Sequence, residues 1–420
     1  MSFYTCGPTV YAEAHIGNLR TFVASDFIRR TLEYLDYDVR QVINITDVDD
    51  KTIGASRAAG KSLASFTTLY EELFLADMAS LNIRRPAALP HATAFIPQMI
   101  TMINSLLELG IGYRQDDGIY FKLSRFSNYG RLRISAGATT AEVENDFVLW
   151  KFYKDSDGEV GWDAPFGRGR PGWHIECSAM IAATLGEEID LHLGGEDLSF
   201  PHHENENAQS ESLTGKPLAC FWLHSALVII EKEKMAKSLG NILTLRNLED
   251  NAYTPLDFRY LLLTVHYRSP LNFTWQGLVA AKRAYDKLKG QAREWAEAAG
   301  EGKIIESYRV KFKEALADDF NLPQALALVW KLIKDDREKR RDKLATIIDF
   351  DRVLGLNLGA NLTPLDSSVP SEIADLAKAR DEARHAKNWA EADRLRGKVK
   401  EAGYIIHDTP SGPKLSPIHR

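Results

Sequence analysis

The spacing of apolar residues predicts an α/β region at the start of the chain. Residues 2–6 predict a short strand, which Gly7 and Pro8 end. Apolar side chains then recur at helical spacing over residues 19–35, which predicts an amphipathic helix. Residues 39–45 are rich in β-branched side chains and predict a second strand. A strand, a helix and a strand in this order predict a parallel pair joined by a right-handed crossover.

The pattern changes twice further along the chain. Residues 112–123 carry Asp117-Gly118 between apolar stretches, which is typical of an antiparallel hairpin. We therefore expect an insertion over about residues 107–169, after which the sheet resumes near Pro171 and runs to about residue 230. Beyond residue 254 the apolar spacing predicts a helical half, with helices at residues 277–299, 304–317, 322–343, 371–387 and 389–402, the last of them stopped by Gly403.

Composition narrows the class of protein. The chain has 420 residues, of which 45% are hydrophobic and 26% are charged, as expected of a globular protein with several domains. It has only 3 cysteines, too few for a disulfide framework, which favours a reducing compartment. We find no signal peptide and no apolar run near the roughly 20 residues that cross a bilayer. These features predict a cytoplasmic protein and no membrane partner.

The junction between the first strand and the first helix carries His15, Gly17 and Asn18. The first turn of a helix presents unpaired N–H groups that attract phosphate. The small Gly17 allows close approach, and the side chains of His15 and Asn18 can stabilise developing charge on phosphorus. Taken alone, this motif fits a capped helix with a surface histidine equally well.

A second basic motif, Lys234-Met-Ala-Lys-Ser-Leu-Gly-Asn241, follows in the other half of the predicted sheet region. Its two lysines, Lys234 and Lys237, suit triphosphate oxygens. A lysine-rich turn in solvent is the alternative for this segment by itself. Two such motifs in opposite halves of an α/β region favour one nucleotide site shared between the halves.

Possible metal ligands form a third group, made of Cys6, Cys177, His202 and Glu206. If a helix begins near Pro201, then His202 and Glu206, four residues apart, share one face and can bind the same ion. Thiolate and imidazole ligands favour zinc. Separately, each cysteine is more typical of a small buried apolar residue, and for Cys220 we keep that interpretation.

These segments follow the order of the signatures of cysteinyl-tRNA synthetases, and the chain resembles this family over nearly its whole length. The segments that carry the resemblance are Cys6-Gly-Pro-Thr-Val-Tyr, His15-Ile-Gly-Asn, Asn44-Ile-Thr-Asp-Val-Asp-Asp-Lys51, Arg170-Pro-Gly-Trp-His-Ile-Glu-Cys-Ser-Ala-Met180, Phe200-Pro-His-His-Glu-Asn-Glu206 and the lysine motif. Segments of the helical half, including Asp318-Asp-Phe-Asn-Leu-Pro323, also resemble the family.

The resemblance implies a Rossmann-like α/β catalytic domain with a parallel sheet and an inserted connective domain, followed by an α-helical anticodon-side bundle and a small C-terminal module. The implied bounds are 1–106 and 170–230 for the two catalytic halves, 107–169 for the insertion, 231–283 for the stem-contact region with the lysine loop, 284–366 for the bundle and 371–420 for the module.

The resemblance also implies a reaction and the residues that perform it. L-Cysteine would be activated with ATP and transferred to the 3′ end of tRNA(Cys). One zinc ion, bound by the four residues of the third group, would take the substrate thiolate. The residues implied to line the cysteine site are Thr46, Trp173, His174 and Asp197.

For ATP, which would bind with Mg²⁺, the implied contacts are His15, Gly17, Asn18, Lys234 and Lys237, of which all but Gly17 would act in catalysis. The family suggests a monomer. Two alternatives remain: a cysteine ligase of the mycothiol type, which should lack the C-terminal module, and an inactive tRNA-binding relative.

Overall fold

The computed structural model describes residues 1–132, 145–231, 233–234, 242–297, 301–360, 362, 370–386, 388–409 and 412–417. The strands are β1 (Ser2–Thr5), β2 (Arg40–Ile43), β3 (Gly112–Gln115), β4 (Gly118–Phe121), β5 (Phe147–Phe152), β6 (Gly169–Pro171), β7 (Ile189–Gly195), β8 (Ala219–Ser225), β9 (Val228–Ile230), β10 (Glu233–Lys234), β11 (Leu271–Phe273), β12 (Tyr404–Thr409) and β13 (Gly412–Pro417).

The α-helices of the same residues are α1 (Ile16–Tyr34), α2 (Asp50–Ala58), α3 (Leu63–Ser80), α4 (Ile96–Glu108), α5 (Trp173–Thr184), α6 (Glu204–Thr214), α7 (Leu245–Asp250), α8 (Pro255–Leu263), α9 (Trp275–Ala296), α10 (Glu306–Ala317), α11 (Leu322–Ile333), α12 (Arg340–Leu354), α13 (Ser371–His385) and α14 (Trp389–Glu401).

A parallel sheet of four strands, in the order β2-β1-β7-β8, organises the first half. Helix α1 connects β1 to β2, so the predicted strand–helix–strand unit is confirmed. Because all four strands run in one direction, their carboxyl ends lie along the same edge of the sheet. That edge carries the residues that follow β1, β2, β7 and β8.

The insertion forms a separate antiparallel sheet in the order β3-β4-β5-β6. The predicted hairpin is confirmed, with its turn at Asp116 and Asp117 between β3 and β4. The parallel sheet does not run to residue 230 as predicted, because β9 leaves it. Strand β9 pairs instead with β10 and β11 in a third sheet, and the backbone N–H of Ala226 donates to the carbonyl of Tyr267 where the chain turns away (2.8 Å).

The helical half departs from prediction at one point. Residues 322–343 form two helices rather than one, because α11 ends at Ile333 and α12 begins at Arg340. The chain reverses through Asp335, whose carboxylate accepts a hydrogen bond from the Tyr308 hydroxyl (2.9 Å) and pairs with Arg337 (2.7 Å). The Arg337 side chain stays in water while the Asp335 side chain is largely covered, and the reversal lets the apolar faces of both helices join one core.

Buried charges join α1 to the helical half. The carboxylate of Asp26 pairs with Arg30 (2.7 Å) and with Arg259 of α8 (2.6 Å). Arg259 also donates to the carbonyl of Leu354 at the end of α12 (2.8 Å). Helix α1 therefore extends from the carboxyl edge of the parallel sheet to the bundle, where its position is held by paired charges.

The last described segments form a small unit of α13, α14 and the hairpin β12-β13. The two helices and the stop at Gly403, which has a φ of 85°, agree with the prediction. None of the helices in the described parts of the chain is long and apolar enough to cross a membrane.

Candidate metal centre and nucleotide site

Residues from four elements meet at the carboxyl edge of the parallel sheet. Cys6 follows β1, and its backbone N–H donates to the carbonyl of Leu193 in β7 (3.0 Å). Cys177 lies in α5. His202 lies in the turn Ser199–His203, which leads directly into α6. Because this turn continues as a helix, His202 Nε2 reaches Glu206 Oε1 four residues later (2.9 Å).

The four predicted metal ligands come together in this place. One ligand atom from each of Cys6, Cys177, His202 and Glu206 lies within 4.8 Å of the others, and all four residues are buried. Bonds to zinc are about 2.0–2.3 Å long, so any two of its ligands are within about 4.6 Å of each other. The observed cluster has nearly this size, and its two cysteines are not joined by a disulfide.

Two of the four ligands have pKa values that suit metal binding, whereas burial and the hydrogen bond with Cys177 raise the pKa of the Cys6 thiol well above its ordinary value. A hydrogen bond from Cys6, helped by His202, lowers the pKa of the Cys177 thiol to about 6 despite burial. Burial would raise the pKa of Glu206, but His192 and His202 hold it well below its ordinary value. A thiol close to ionisation and a carboxylate that stays charged are the forms that bind a metal ion.

Three histidines beside the cluster were not predicted. His192 Nε2 lies 2.8 Å from Glu206 Oε2, and His203 Nε2 lies 3.4 Å from Cys6 Sγ. His203 Nδ1 in turn lies 2.9 Å from His224 Nε2. Cys6, His192, His203 and Glu206 form a second group whose ligand atoms lie within 4.8 Å of one another. The sequence signal was a histidine inside each of two strands, β7 and β8, that otherwise carry mostly apolar residues.

The residues predicted to line the cysteine site divide into two groups. The Trp173 ring stacks on His202 with ring centroids 4.2 Å apart, and His174 Nδ1 lies 2.8 Å from His202 Nδ1. Thr46 is also close, because Asn44 donates to its hydroxyl (3.2 Å) and lies 3.9 Å from the Cys177 sulfur. Asp197 is exposed in the turn Glu196–Leu198 that follows β7, and no contact joins it to these residues in the described part of the chain.

The predicted ATP motif begins at the same edge. His15 caps α1, since its Nδ1 accepts a hydrogen bond from the Asn18 backbone N–H (3.1 Å). The Ile16 N–H donates to the carbonyl of Leu243 (2.8 Å), and His15 forms a β-bridge with Thr244. The start of α1, which includes Gly17, thus adjoins the segment that directly follows the lysine motif.

Of the two predicted lysines, Lys237 lies outside the described residues. The backbone of Lys234 ends β10, which pairs with β9. Cys220, predicted to be buried, is exposed. The apolar sequence around it suggested an interior strand, but β8 is the edge strand of its sheet and leaves this side chain uncovered.

A pocket of about 400 Å³ opens between the insertion and the parallel sheet. Trp173 and His174, which both contact His202, form the wall nearest to the cluster. Charged residues form much of the rest, and the full lining is Thr9, Asp49, Asp50, Lys51, Val148, Lys151, Arg170, Pro171, Trp173, His174 and Glu176.

Gly7 is expected to tolerate no side chain. A Cβ atom at this position would lie 1.5 Å from the carbonyl oxygen of Asn44, a backbone atom that cannot move aside alone. We expect Gly7→Ala to lower the free energy of unfolding by about 1–3 kcal/mol, measured by urea denaturation. Gly54→Ala is the control, because a Cβ there meets nothing within 4 Å. Equal stability of the two variants would contradict this description of the loop.

Known proteins match this chain over nearly its whole length. Residues 1–283 match the family model for the tRNA synthetases class I (C) catalytic domain. Residues 311–358 match the DALR domain, and residues 366–412 match the cysteinyl-tRNA ligase anticodon binding domain. The cysteine–tRNA ligase of Chlamydia pneumoniae is 44% identical over 449 residues, covering 99% of this chain and 94% of that protein. The chain belongs to the cysteine–tRNA ligase family.

Further relatives and solved structures agree with this assignment. The cysteine–tRNA ligase of Protochlamydia amoebophila is 39% identical, and the match covers 99% of this chain and 93% of that protein. Among solved structures, Mycobacterium tuberculosis methionyl-tRNA synthetase with methionyl-adenylate has a TM-score of 0.63 at 15% identity, covering 90% of this chain and 93% of that chain. The LeuRS of Agrobacterium radiobacter K84, in a LeuRS-tRNA-LeuAMS complex, also has a TM-score of 0.63. It is 10% identical, and the match covers 87% of this chain and 85% of that chain.

The solved structures establish the fold, which is that of class I synthetases, with a parallel sheet and helices followed by a helical anticodon region. The predicted fold class is therefore confirmed. Membership of the cysteine–tRNA ligase family makes the protein an enzyme of the ligase class. The predicted domain bounds and the predicted site residues stay predictions.

Proposed function

We propose that this protein activates L-cysteine with ATP and transfers it to the 3′ end of tRNA(Cys), and that a zinc ion at the four-residue cluster selects the substrate by its thiol. The observation that carries the proposal is the approach of Cys6, Cys177, His202 and Glu206 to within 4.8 Å of one another. These residues come from distant parts of the chain, so their convergence is a property of the fold.

The donor set suits zinc. Two thiols, one imidazole and one carboxylate are borderline to soft ligands, which zinc binds readily in a tetrahedral arrangement. The second group of ligand atoms replaces one sulfur with an imidazole and shares Cys6 and Glu206. We favour the group with two sulfurs because thiolates select zinc more strongly than oxygen or nitrogen donors do.

Recognition of sulfur solves a problem of selectivity. Serine has the shape of cysteine, and a pocket that reads only shape rejects such an analogue by roughly a hundredfold. When bound, zinc would supply affinity for a deprotonated sulfur that an alcohol lacks. Trp173 and His174 both contact His202, so they border the place where the substrate thiol would bind.

We propose that ATP binds at the start of α1. His15, Gly17 and Asn18 lie at a helix N-terminus, where backbone N–H groups favour phosphate oxygens. We propose that Lys234 and Lys237 contact the phosphates in the transition state, since the segment after them pairs with the start of α1. Mg²⁺ would accompany ATP as part of the substrate.

Neither step needs a covalent intermediate on the enzyme. The cysteine carboxylate attacks the α-phosphate of ATP and displaces pyrophosphate, and a terminal hydroxyl of tRNA then attacks the adenylate and displaces AMP. Catalysis would rest on positioning and on stabilisation of charge. The helical region after residue 283 would contact the tRNA away from its acceptor end, and the monomeric state and cytoplasmic location stay predictions.

Two assays on the purified protein test the proposal. We expect cysteine to drive exchange of pyrophosphate into ATP and serine to fail, and we expect a tRNA(Cys) transcript to accept cysteine. Exchange without charging would favour the mycothiol-type alternative. A protein that binds the transcript but supports neither reaction would be the inactive relative, and the proposal would be wrong.

A further inference from the structure

The side chain of Glu176 is buried without a normal hydrogen bond. It is 1% exposed, and neither carboxylate oxygen has a partner of ordinary hydrogen-bond length in the described part of the chain. Other buried carboxylates nearby are satisfied: Glu204 accepts the backbone N–H groups of Gly130 (2.8 Å) and Leu132 (2.7 Å). An unpaired buried carboxylate is costly, so a binding partner from outside the protein would explain Glu176.

The position of Glu176 indicates where that partner lies. Trp173, Glu176 and Cys177 occupy positions i, i+3 and i+4 of α5, so they share one face of the helix. Glu176 lines the pocket between the insertion and the parallel sheet, together with Trp173 and His174. One residue along, Cys177 belongs to the metal cluster. The carboxylate therefore borders both the pocket and the place where a substrate thiol would bind.

Thr46 connects Glu176 to the rest of the site. The Thr46 hydroxyl accepts a hydrogen bond from Asn44 Nδ2 (3.2 Å) and lies close to the Glu176 carboxyl group. Burial, with the nearby Cys177, raises the pKa of that carboxyl well above its ordinary value, and a cation bound beside it would favour its charged form. A hydroxyl has one hydrogen and two lone pairs. With one lone pair used by Asn44, a second lone pair remains for a donor in the pocket.

We propose that Glu176 and Thr46 together bind the α-ammonium group of the substrate cysteine. This inference rests on the proposed function and adds the residue that supplies the opposite charge. Only two carbon atoms separate the sulfur and the nitrogen of cysteine, so a ligand whose sulfur reaches the cluster holds its ammonium close to the residues around Cys177. The ammonium pairs with the buried carboxylate and donates to the Thr46 hydroxyl.

The test compares two ligands that differ in the ammonium group alone. 3-Mercaptopropionate has the thiol and the carboxylate of cysteine but no amine. Binding of both to the zinc-loaded enzyme is measured by calorimetry, for the wild type and for Glu176→Gln. We expect the variant to lose about 10- to 100-fold in affinity for cysteine, the range for a hydrogen bond to a charged group, and to bind 3-mercaptopropionate as the wild type does.

Three controls separate this role from a structural one. Glu187→Gln makes the same change at an exposed glutamate just beyond α5 and should alter neither affinity. Glu176→Asp keeps the charge and should retain most of the preference for cysteine. Zinc content of Glu176→Gln should equal that of the wild type, and its melting temperature should be no lower.

Two outcomes would overturn the inference while leaving the proposed function intact. One is an equal loss of affinity for both ligands, which indicates a structural role. The other is an unchanged preference for cysteine in Glu176→Gln, which indicates that water or another group satisfies the carboxylate. A wild-type enzyme that neither binds cysteine nor supports cysteine-dependent exchange would contradict the proposed function as well.

Discussion

Cys177→Ser is expected to abolish stoichiometric zinc binding and to reduce cysteine-dependent pyrophosphate exchange by more than about 100-fold. Residues that merely orient metal ligands contribute roughly 10- to 100-fold, so loss of a ligand should cost more. The hydroxyl of serine fills nearly the same space but does not ionise near neutral pH, whereas the pKa of the Cys177 thiol is about 6. Zinc content by metal analysis and the exchange rate are measured on the same preparation.

The chain offers a matched control for this substitution. Cys220→Ser changes the same atom in an exposed cysteine of β8, away from the cluster. It should keep both the zinc and the exchange activity of the wild type. If Cys177→Ser retained a full equivalent of zinc, the metal would have to lie in the group that includes His192 and His203, and our assignment of ligands would be wrong.

Asp26→Asn is expected to lower the free energy of unfolding by about 3–5 kcal/mol, the usual effect of removing one partner from a buried ion pair. The carboxylate of Asp26 is fully enclosed and pairs with Arg30 and Arg259. Its loss leaves two buried guanidinium groups without their counter-charge. Urea denaturation measures the effect. Asp38→Asn, at an exposed aspartate, is the control and should change stability little.

The same pair predicts a dependence on pH. Burial alone would raise the pKa of Asp26, but Arg259 and Arg30 hold it below its ordinary value. A lowered pKa in the folded state gives stability that is fully present above the unfolded value of about 3.9 and is lost as the pH falls through the folded value. The advantage of the wild type over Asp26→Asn should therefore shrink in acid. A constant difference down to pH 2 would contradict the ion pair.

The sequence predicted those parts of the fold that depend on local spacing. The first strand–helix–strand unit and the hairpin around Asp117 follow from apolar periodicity and turn residues, and both are confirmed. The break between α11 and α12 was missed because a charged stretch has the same helical spacing whether the chain continues or reverses. Tertiary packing decides between one helix and two, because the core buries the apolar faces of both α11 and α12 only if the chain turns back.

In the candidate site, too, the sequence predicted the contacts that depend on local spacing and missed those that depend on strand pairing. His202 and Glu206 were predicted as a pair because four residues along a helix bring side chains to one face, and they do meet. His192 and His224 were not predicted, since they lie in different strands and only the pairing of β7 with β8 brings them beside the cluster. The exposure of Cys220 likewise depends on β8 being an edge strand, which its own residues do not reveal.

The hydrogen bond at the start of α1 determines which tautomer His15 adopts. Because Nδ1 accepts the N–H of Asn18, a neutral imidazole must carry its proton on Nε2. In this tautomer Nε2 can donate a hydrogen bond but cannot accept one. An imidazole held in that form can donate a hydrogen bond to an oxyanion but cannot remove a proton through Nε2, which argues against His15 as a general base in either half-reaction.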